Sequence, residues 1–342
     1  MSGAKFHTVV DVPKYNWETG YTKKNMFVGS CFTENVGNKM SALKYDVDIN
    51  PFGILYNPVS VAGGLQILLQ QKEFEPKDLI QHNGLWHSFY HHGRFSFSTQ
   101  KETLEAINTR IKTSTEFLKN TDYLFLTFGT AWIYKFKQNG NPVSNCHKIS
   151  ANEFERVRLT TGEIVDEYIS LLKEIRKINP GLTVIFTVSP IRHWKDGAVE
   201  NQRSKATLLL AIDEIIYQLG EKFCSYFPAY EIVMDELRDY RFYADDMIHI
   251  SEVAIKHIWA KFEESAIDKE SRKISKEIEK IIRAKEHKPS GRNLLEFAGF
   301  LEKMLERIYK LEQEFGHLNL QEEKEYFTIR LNETGLDKEQ IS

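Results

Sequence analysis

The run Leu182-Thr183-Val184-Ile185-Phe186-Thr187-Val188 decides the architecture of this chain. It is almost continuously β-branched and apolar, the composition of a strand covered on both faces, as strands of a parallel sheet are. Just upstream, Ile164 to Ile178 carries apolar residues at helical spacing and stops at Asn179-Pro180-Gly181, where proline and glycine end a helix. Just downstream, Glu200 to Phe223 reads as a long amphipathic helix. Helix, buried strand and helix in succession form the unit of an α/β fold, because parallel strands need a long crossover between them.

The alternation continues towards the N-terminus. Asn25 to Val28, Tyr45 to Asn50 and Asp122 to Phe128 read as strands. Phe32 to Leu43, with Val36, Met40 and Leu43 at helical spacing, reads as a helix, as do Pro58 to Gln71 and Lys101 to Leu118. Towards the C-terminus, Tyr230 to Val233 is expected to be a last short strand and Ser251 to Phe262 a closing helix with Ser251 as its cap. An α/β domain with a mainly parallel sheet is therefore expected over residues 12–265. From 266 to 342 the chain is dense in Lys and Glu, with an apolar stripe at Ile274, Ile278, Ile281 and Ile282. A break at Pro289-Ser290-Gly291 follows, then a second stripe at Leu301, Leu305, Ile308 and Leu311. This reads as a helical hairpin extension, frayed from about Asn332, and packed on the core, used for homo-oligomer assembly, or a solvated appendage.

Bulk properties exclude several classes. A net charge of -3 gives no case for nucleic acid or an anionic membrane surface as partner. No stretch reaches the roughly 18 apolar residues that span a bilayer. No secretory signal is expected at the N-terminus, and three scattered cysteines (Cys31, Cys146, Cys224) make neither a disulfide framework nor a Cys-x-x-Cys metal site. A reducing cytoplasmic setting is the expectation. No P-loop or dinucleotide fingerprint occurs, so no cofactor is expected.

In parallel sheets, ligands bind beyond the C-terminal strand ends. Gly29-Ser30, Asn50-Pro51-Phe52-Gly53, Gly129-Thr130 and Ser189-Pro190-Ile191-Arg192-His193 all fall there. Ser30 closes the apolar run Met26-Phe27-Val28-Gly29 and precedes a helix. It is either a helix cap or a nucleophile beside unpaired helix N–H groups. Cys31 is a competing nucleophile or a packing residue. Asp246-Met247-Ile248-His249 spaces an acid so that it can reach the nearer imidazole nitrogen and leave the farther one for a serine proton; the alternative is a surface turn. Trp86-His87-Ser88-Phe89-Tyr90-His91-His92 holds three histidines, but lacks an acid or cysteine at ligand spacing; a substrate-lining loop is favoured over a metal site. Asn145-Cys146-His147-Lys148 follows the turn Asn139-Gly140-Asn141-Pro142, and Asn145 is either an oxyanion donor or a turn residue.

These segments carry a family resemblance. Gly29-Ser30-Cys31-Phe32-Thr33 is similar to the signature that names the GSCFA family, with Thr33 where the name has alanine. Asn50 to Pro58, Trp86-His87-Ser88, Phe128 to Trp132, Asn145 to Lys148, Ser189 to His193 and Tyr240 to His249 resemble that family in the same order, over roughly Val12 to Phe262. The family resembles the SGNH (GDSL-like) hydrolases, which implies a flavodoxin-like α/β/α sandwich and ester or acyl-transfer chemistry. Carried over, Ser30 is nucleophile, His249 general base and Asp246 its orienting acid. The implied oxyanion donors are the N–H of Ser30, Gly53, and an asparagine of a Gly-x-Asn-Asp block. This chain has Gly129-Thr130-Ala131-Trp132 there, so Thr130 or Asn145 is expected to replace the missing asparagine. Trp86, His87, His147, Arg192 and His193 are expected to line the substrate pocket. The expected activity is a serine esterase acting on a small-molecule or carbohydrate ester, an acetyl ester for instance. Its alternatives are an acyltransferase with the same triad and a catalytically silent binding module.

Overall fold

A computed structural model gives the fold and describes residues 8–286 and 294–336. The break at Pro289-Ser290-Gly291 and the chain beyond Leu336 lie outside the described residues. The chain forms two compact units. The larger holds Lys23–Asn38 and Val47–Ala266 with the segment ending at Trp17; the smaller holds Glu18–Thr22, Lys39–Asp46 and the chain from Ile267 onward.

In chain order the elements are β1 (Asn25–Gly29), α1 (Cys31–Ala42), β2 (Val47–Ile49), α2 (Pro58–Gln70), β3 (Ile80–His82), β4 (Leu85–His87), α3 (Gln100–Lys119) and β5 (Tyr123–Phe128). There follow β6 (Trp132–Phe136), β7 (Pro142–Val143), β8 (Phe154–Arg158), α4 (Thr161–Ile178), β9 (Thr183–Val188), α5 (Gly197–Leu219) and β10 (Cys224–Tyr226). A short turn α6 (Ala229–Glu231) and α7 (Glu252–Ala266) complete this part. The central sheet has strand order β10-β9-β5-β1-β2, and every pair is parallel. This is the flavodoxin-like doubly wound order, whose switch point lies between β1 and β5.

Strand alternation builds the layers. Met26 and Val28, Leu124, Leu126 and Phe128, and Val184, Phe186 and Val188 face one side, where they join Leu65, Ile111, Tyr168 and Ile212 of α2 to α5 in the main core. Phe27 and Phe125 face the other side, stacked at 4.5 Å, and Phe262 of α7 meets Phe125 edge-on at 5.7 Å. Phe32 of α1 stacks on Phe227, which also meets Phe262. The result is an α/β/α sandwich. Local chemistry sets the helix ends. Asn57 caps α2 by accepting from Ser60 N–H at 2.8 Å, with Pro58 in the first turn. Thr160 and Glu163 form a capping box on α4.

Two expectations need correction. Tyr230 to Val233 is not a strand: it lies in α6 and in a π-helical turn, Ile232–Glu236. Pro228 precedes that turn, and its fixed φ suits a helix start. The last strand is β10, paired with β9. Secondly, residues 132–158 form an antiparallel sheet, β7-β6-β8, of which only the turn between β6 and β7 was foreseen.

In the smaller unit, α8 (Lys269–Glu286), α9 (Leu294–Glu314) and α10 (Gln321–Asn332) bury Ile274, Ile278, Ile281, Leu301, Ile308, Leu311 and Phe327. Tyr21 stacks on Tyr45 at 4.1 Å, and Tyr45 Oη lies 2.6 Å from Ser275 Oγ. The hairpin expectation falls one helix short. α10 buries only Glu323 and Phe327 within its span, so no apolar stripe marks it. Among the described residues, no helix is long and apolar enough to cross a membrane.

Candidate active site

Ser30 sits at the sheet's switch point, one residue beyond β1, and β5 ends alongside at Phe128. Its placement is fixed by backbone. Gly29 has φ +146°, and a Cβ there would run into the carbonyl oxygen of Thr127, so only glycine fits. Gly29 N–H donates to Asn50 Oδ1 at 2.9 Å, and Gly29 O accepts from Leu55 N–H at 2.9 Å. Ser30 is 2% exposed, and its Oγ has no hydrogen-bond partner. The hydroxyl therefore does not cap α1, although the carbonyl of Ser30 accepts the N–H of Glu34 at 3.4 Å. A buried hydroxyl left unbonded carries a desolvation cost and calls for a reason.

Ser30 and His249 line one cavity of about 530 Å³ beyond the strand ends. His249 lies in a tight loop closed by Ala244 N–H donating to the carbonyl of His249 at 2.7 Å, with a bridge between Tyr243 and Ile250. Asp246 Oδ1 accepts the N–H groups of Ile248 and His249, each at 2.9 Å, and Oδ2 lies 2.5 Å from His249 Nδ1. The hydrogen bond from His249, and then the two backbone N–H groups, hold the Asp246 carboxyl down to about 2. An ionised carboxylate there accepts a proton held on Nδ1, which in the neutral imidazole leaves Nε2 as the acceptor. No hydrogen bond joins Nε2 to Ser30 Oγ in this state.

A second imidazole, His193, lines the same cavity. Burial first, and then the charge of Lys205, lower its pKa to about 4, so it is neutral at pH 7. It meets Tyr56 edge-on at 6.0 Å. Gly129 separates it from the serine: a Cβ on Gly129 would stand 3.4 Å from His193 Nε2 and 3.6 Å from Ser30 Cβ. Beneath lies Lys205, 0% exposed, whose Nζ donates to the carbonyls of Gly129 at 2.6 Å and Ser189 at 2.5 Å. It ties together the two segments that follow β5 and β9. Burial lowers its pKa to about 7. Nothing in the sequence distinguishes Lys205 from the other polar positions of a long amphipathic helix; only the fold places it there.

The other expected residues divide. Arg192 and Asn145 line the cavity with His193, and so does Cys31. Burial raises the Cys31 pKa, which makes its thiol a poor nucleophile. Asn145 Oδ1 accepts from His147 N–H at 2.9 Å, so its amide NH₂ is the group left for a ligand. Asn57, not foreseen, is in the same position: it lines the cavity, and its Oδ1 is held by Ser60 N–H. The clue was available in Asn57-Pro58, an asparagine capping a helix that starts at a strand-end loop.

Thr130 lines the cavity but has little to donate. Its N–H goes to the carbonyl of Tyr56 at 2.9 Å, and its Oγ1 accepts from Trp132 N–H and pairs with Ser204 Oγ, both at 3.2 Å. The N–H of Ser30 is also engaged, with the carbonyl of Thr127 at 3.3 Å. Gly53 is a correction: it is not part of the cavity wall, and its N–H donates to the carbonyl of Asn50 at 2.8 Å, closing the turn at φ +80°. Trp86, His87 and His147 are corrections too, because none of them borders the cavity. His87 is buried between Ser96 Oγ at 2.7 Å and the carbonyl of His82 at 3.1 Å. His147 stacks on His87 at 4.3 Å, and its Nε2 lies 2.8 Å from the carbonyl of Ser88. Those contacts tie the histidines into the loop that carries them. Among the described residues, no group of three or more His, Cys, Asp or Glu is arranged to hold a metal ion.

Comparison with known proteins agrees with the order of motifs. The GSCFA family model matches residues 24–262, and a second, the GSCFA domain protein C-terminal domain, matches residues 278–333. The chain belongs to the GSCFA family. No curated protein matches the sequence. Among solved structures, similarity is found to a Clostridium thermocellum family 3 carbohydrate esterase, at 16% identity and a TM-score of 0.30, over 71% of this chain and 94% of that one. An acetyl xylan esterase (Est2A) from the rumen bacterium Butyrivibrio proteoclasticus is similar at 13% identity and a TM-score of 0.30, over 64% of this chain and 57% of that one. Likeness this loose says nothing of chemistry.

Proposed function

We propose that this chain is a serine hydrolase of ester bonds, with Ser30 as nucleophile, His249 as general base and Asp246 as its orienting acid. One observation carries the reading. An unbonded serine hydroxyl at the switch point shares a cavity with an imidazole whose other nitrogen is held by an ionised carboxylate. Ser30 Oγ attacks the acyl carbon while its proton passes to His249 Nε2. The tetrahedral oxyanion collapses, the alcohol leaves with that proton, and an acyl-serine remains. Water then attacks the acyl carbon, giving a proton to His249, and that proton passes to Ser30 Oγ as the bond from Oγ to the acyl carbon breaks and the acid leaves. Asn57 and Asn145 are the side-chain donors we assign to the oxyanion, in place of Gly53 and Thr130. The cavity of about 530 Å³ must hold both halves of the ester, which favours a short acyl group such as acetyl.

The reading requires a rearrangement as substrate enters, because Ser30 Oγ is covered and not yet bonded to His249. Fluorophosphonate labelling with peptide mass spectrometry tests the core claim. An adduct on Ser30 that is lost in His249→Ala supports it. Silence at Ser30, or an adduct indifferent to His249, removes the triad. Acetylated product in the presence of an acceptor sugar separates transfer from hydrolysis.

A further inference from the structure

The charges along the cavity wall do not cancel. Asp196 contributes its one carboxylate, and that is paired with Arg156. Arg192 and Lys195 line the same wall. Among the described residues, neither has a carboxylate within ion-pair distance. Arg192 is half-buried, and its recorded hydrogen bond runs to the thioether of Met234, at 3.4 Å from Nη2. Lys195 Nζ donates to Tyr134 Oη at 2.9 Å. A thioether is a weak acceptor, and a guanidinium offers five donors in a planar fork. A half-buried guanidinium answered only by sulfur is poised for an oxyanion, which arginine binds in bidentate fashion. The chain as a whole carries -3, so this positive wall is local and not a consequence of a basic protein.

We infer that the substrate is itself an anion, an ester bearing a carboxylate or phosphate that Arg192 and Lys195 bind across the cavity from Ser30. The inference rests on the esterase reading for the word ester, but not for the anion. Arg192 and His193 are neighbours in one segment, held from below where Lys205 takes the carbonyl of Ser189. The anion subsite and the wall beside the nucleophile thus share one stretch of chain. Trp132 and Tyr134 are also on that wall, and Arg156 lies over both rings, 4.6 Å from the centroid of Trp132 and 5.6 Å from that of Tyr134.

Two measurements separate this inference from the esterase reading. The first is calorimetric binding to Ser30→Ala of glucuronate, glucose 6-phosphate, inorganic phosphate and glucose. Binding of glucuronate or of the phosphates, but not of glucose, is expected, and it tells carboxylate from phosphate. Arg192→Gln should weaken that binding roughly tenfold to a hundredfold, as loss of a charge-assisted pair does. Lys195→Gln, at an exposed position, should weaken it less, and Arg192→Lys should restore part of it. The second measurement is the ratio of kcat/KM for acetylated glucuronate over acetylated glucose, which should fall in the same variants. No binding of any of the anions, or binding indifferent to both substitutions, overturns the inference even if neutral esters are hydrolysed. Anion binding without any ester turnover keeps the subsite and removes the esterase reading.

Discussion

Two imidazoles face the cavity, and they are prepared in opposite ways. His193 sits on the segment after β9, beside Gly129 and Ser30, and burial lowers its pKa to about 4. His249 sits on a half-exposed loop, and a carboxylate fixed by two backbone N–H groups orients it. The first is close, and the acid nearest it, Asp196, is paired with Arg156 instead of being bonded to its ring. The second has an acid bonded to its ring but does not touch the serine in this state. A general base must accept a proton in the transition state, so stabilisation of the imidazolium decides the role ahead of proximity. We therefore propose His249 for proton transfer and His193 as a neutral wall residue beside Ser30.

The largest effects test that assignment. Ser30→Ala should remove roughly 10⁴-fold or more of the ester turnover. His249→Ala should cost roughly 10²- to 10⁴-fold in kcat, and His193→Ala at most about tenfold. The reverse ranking of the two histidines would make His193 the base and His249 a surface residue. Steady-state kinetics on an activated acetyl ester reads all three.

The next effects concern the oxyanion. Asn57→Asp keeps an oxygen to cap α2 at Ser60 N–H but removes the amide donor. Asn145→Asp does the same for its turn at His147 N–H. The residue that holds the oxyanion should lose about 10²-fold or more in kcat with KM little changed. If neither does, the donors are the N–H groups at the start of α1.

What the sequence disclosed follows from where the physics is local. Asn179-Pro180-Gly181 ends α4 by backbone chemistry alone, and the β9 run announces a strand buried on both faces. The contact between Asp246 and His249 was legible for the same reason, since spacing of three within one loop fixes it. The failures are all tertiary. His87 and His147 look like pocket residues until their ring nitrogens are seen to meet Ser96, His82 and Ser88. Gly53 matches a superfamily position but spends its N–H on a turn. Lys205 and Asn57 gain their meaning only when β5, β9 and α2 converge. Tyr230 to Val233 has strand composition and is overruled by the turn that Pro228 begins.

A smaller effect separates buried histidines from the exposed one by pH. His91, His147 and His193 have folded pKa values of about 3, 4 and 4, each lowered first by burial. An unfolded histidine titrates near 6.5. Between these values the unfolded chain binds more protons than the folded one, so stability falls as pH drops from about 6.5 towards 4. Urea midpoints at pH 7 and pH 4.5 should show that loss. His91 packs against the rings of Phe52, Phe74 and Phe95, so His91→Phe should make the slope shallower while keeping the cluster. An unchanged slope would mean that the loop opens before these groups titrate.

The smallest effect lies in the loop of His249 itself. Met247 adopts φ +58° and is 53% exposed, a conformation that costs a non-glycine residue free energy and gains nothing here from packing. Asp246 Oδ1 captures two successive N–H groups, those of Ile248 and His249, and the chain turns at Met247 to bring them back to it. Asparagine tolerates this region better than methionine and, unlike glycine, does not greatly loosen the unfolded chain. Met247→Asn should therefore raise Tm by roughly 1–3 °C, about what a fraction of a kcal/mol gives in a chain of this size. The informative comparison is with kcat. If the loop must yield for His249 to reach Ser30, stabilising it in its present shape slows turnover while leaving the Asp246–His249 contact intact. If kcat is unmoved, the approach is made instead by the side chains around Ser30, and that side of the cavity is the one that moves.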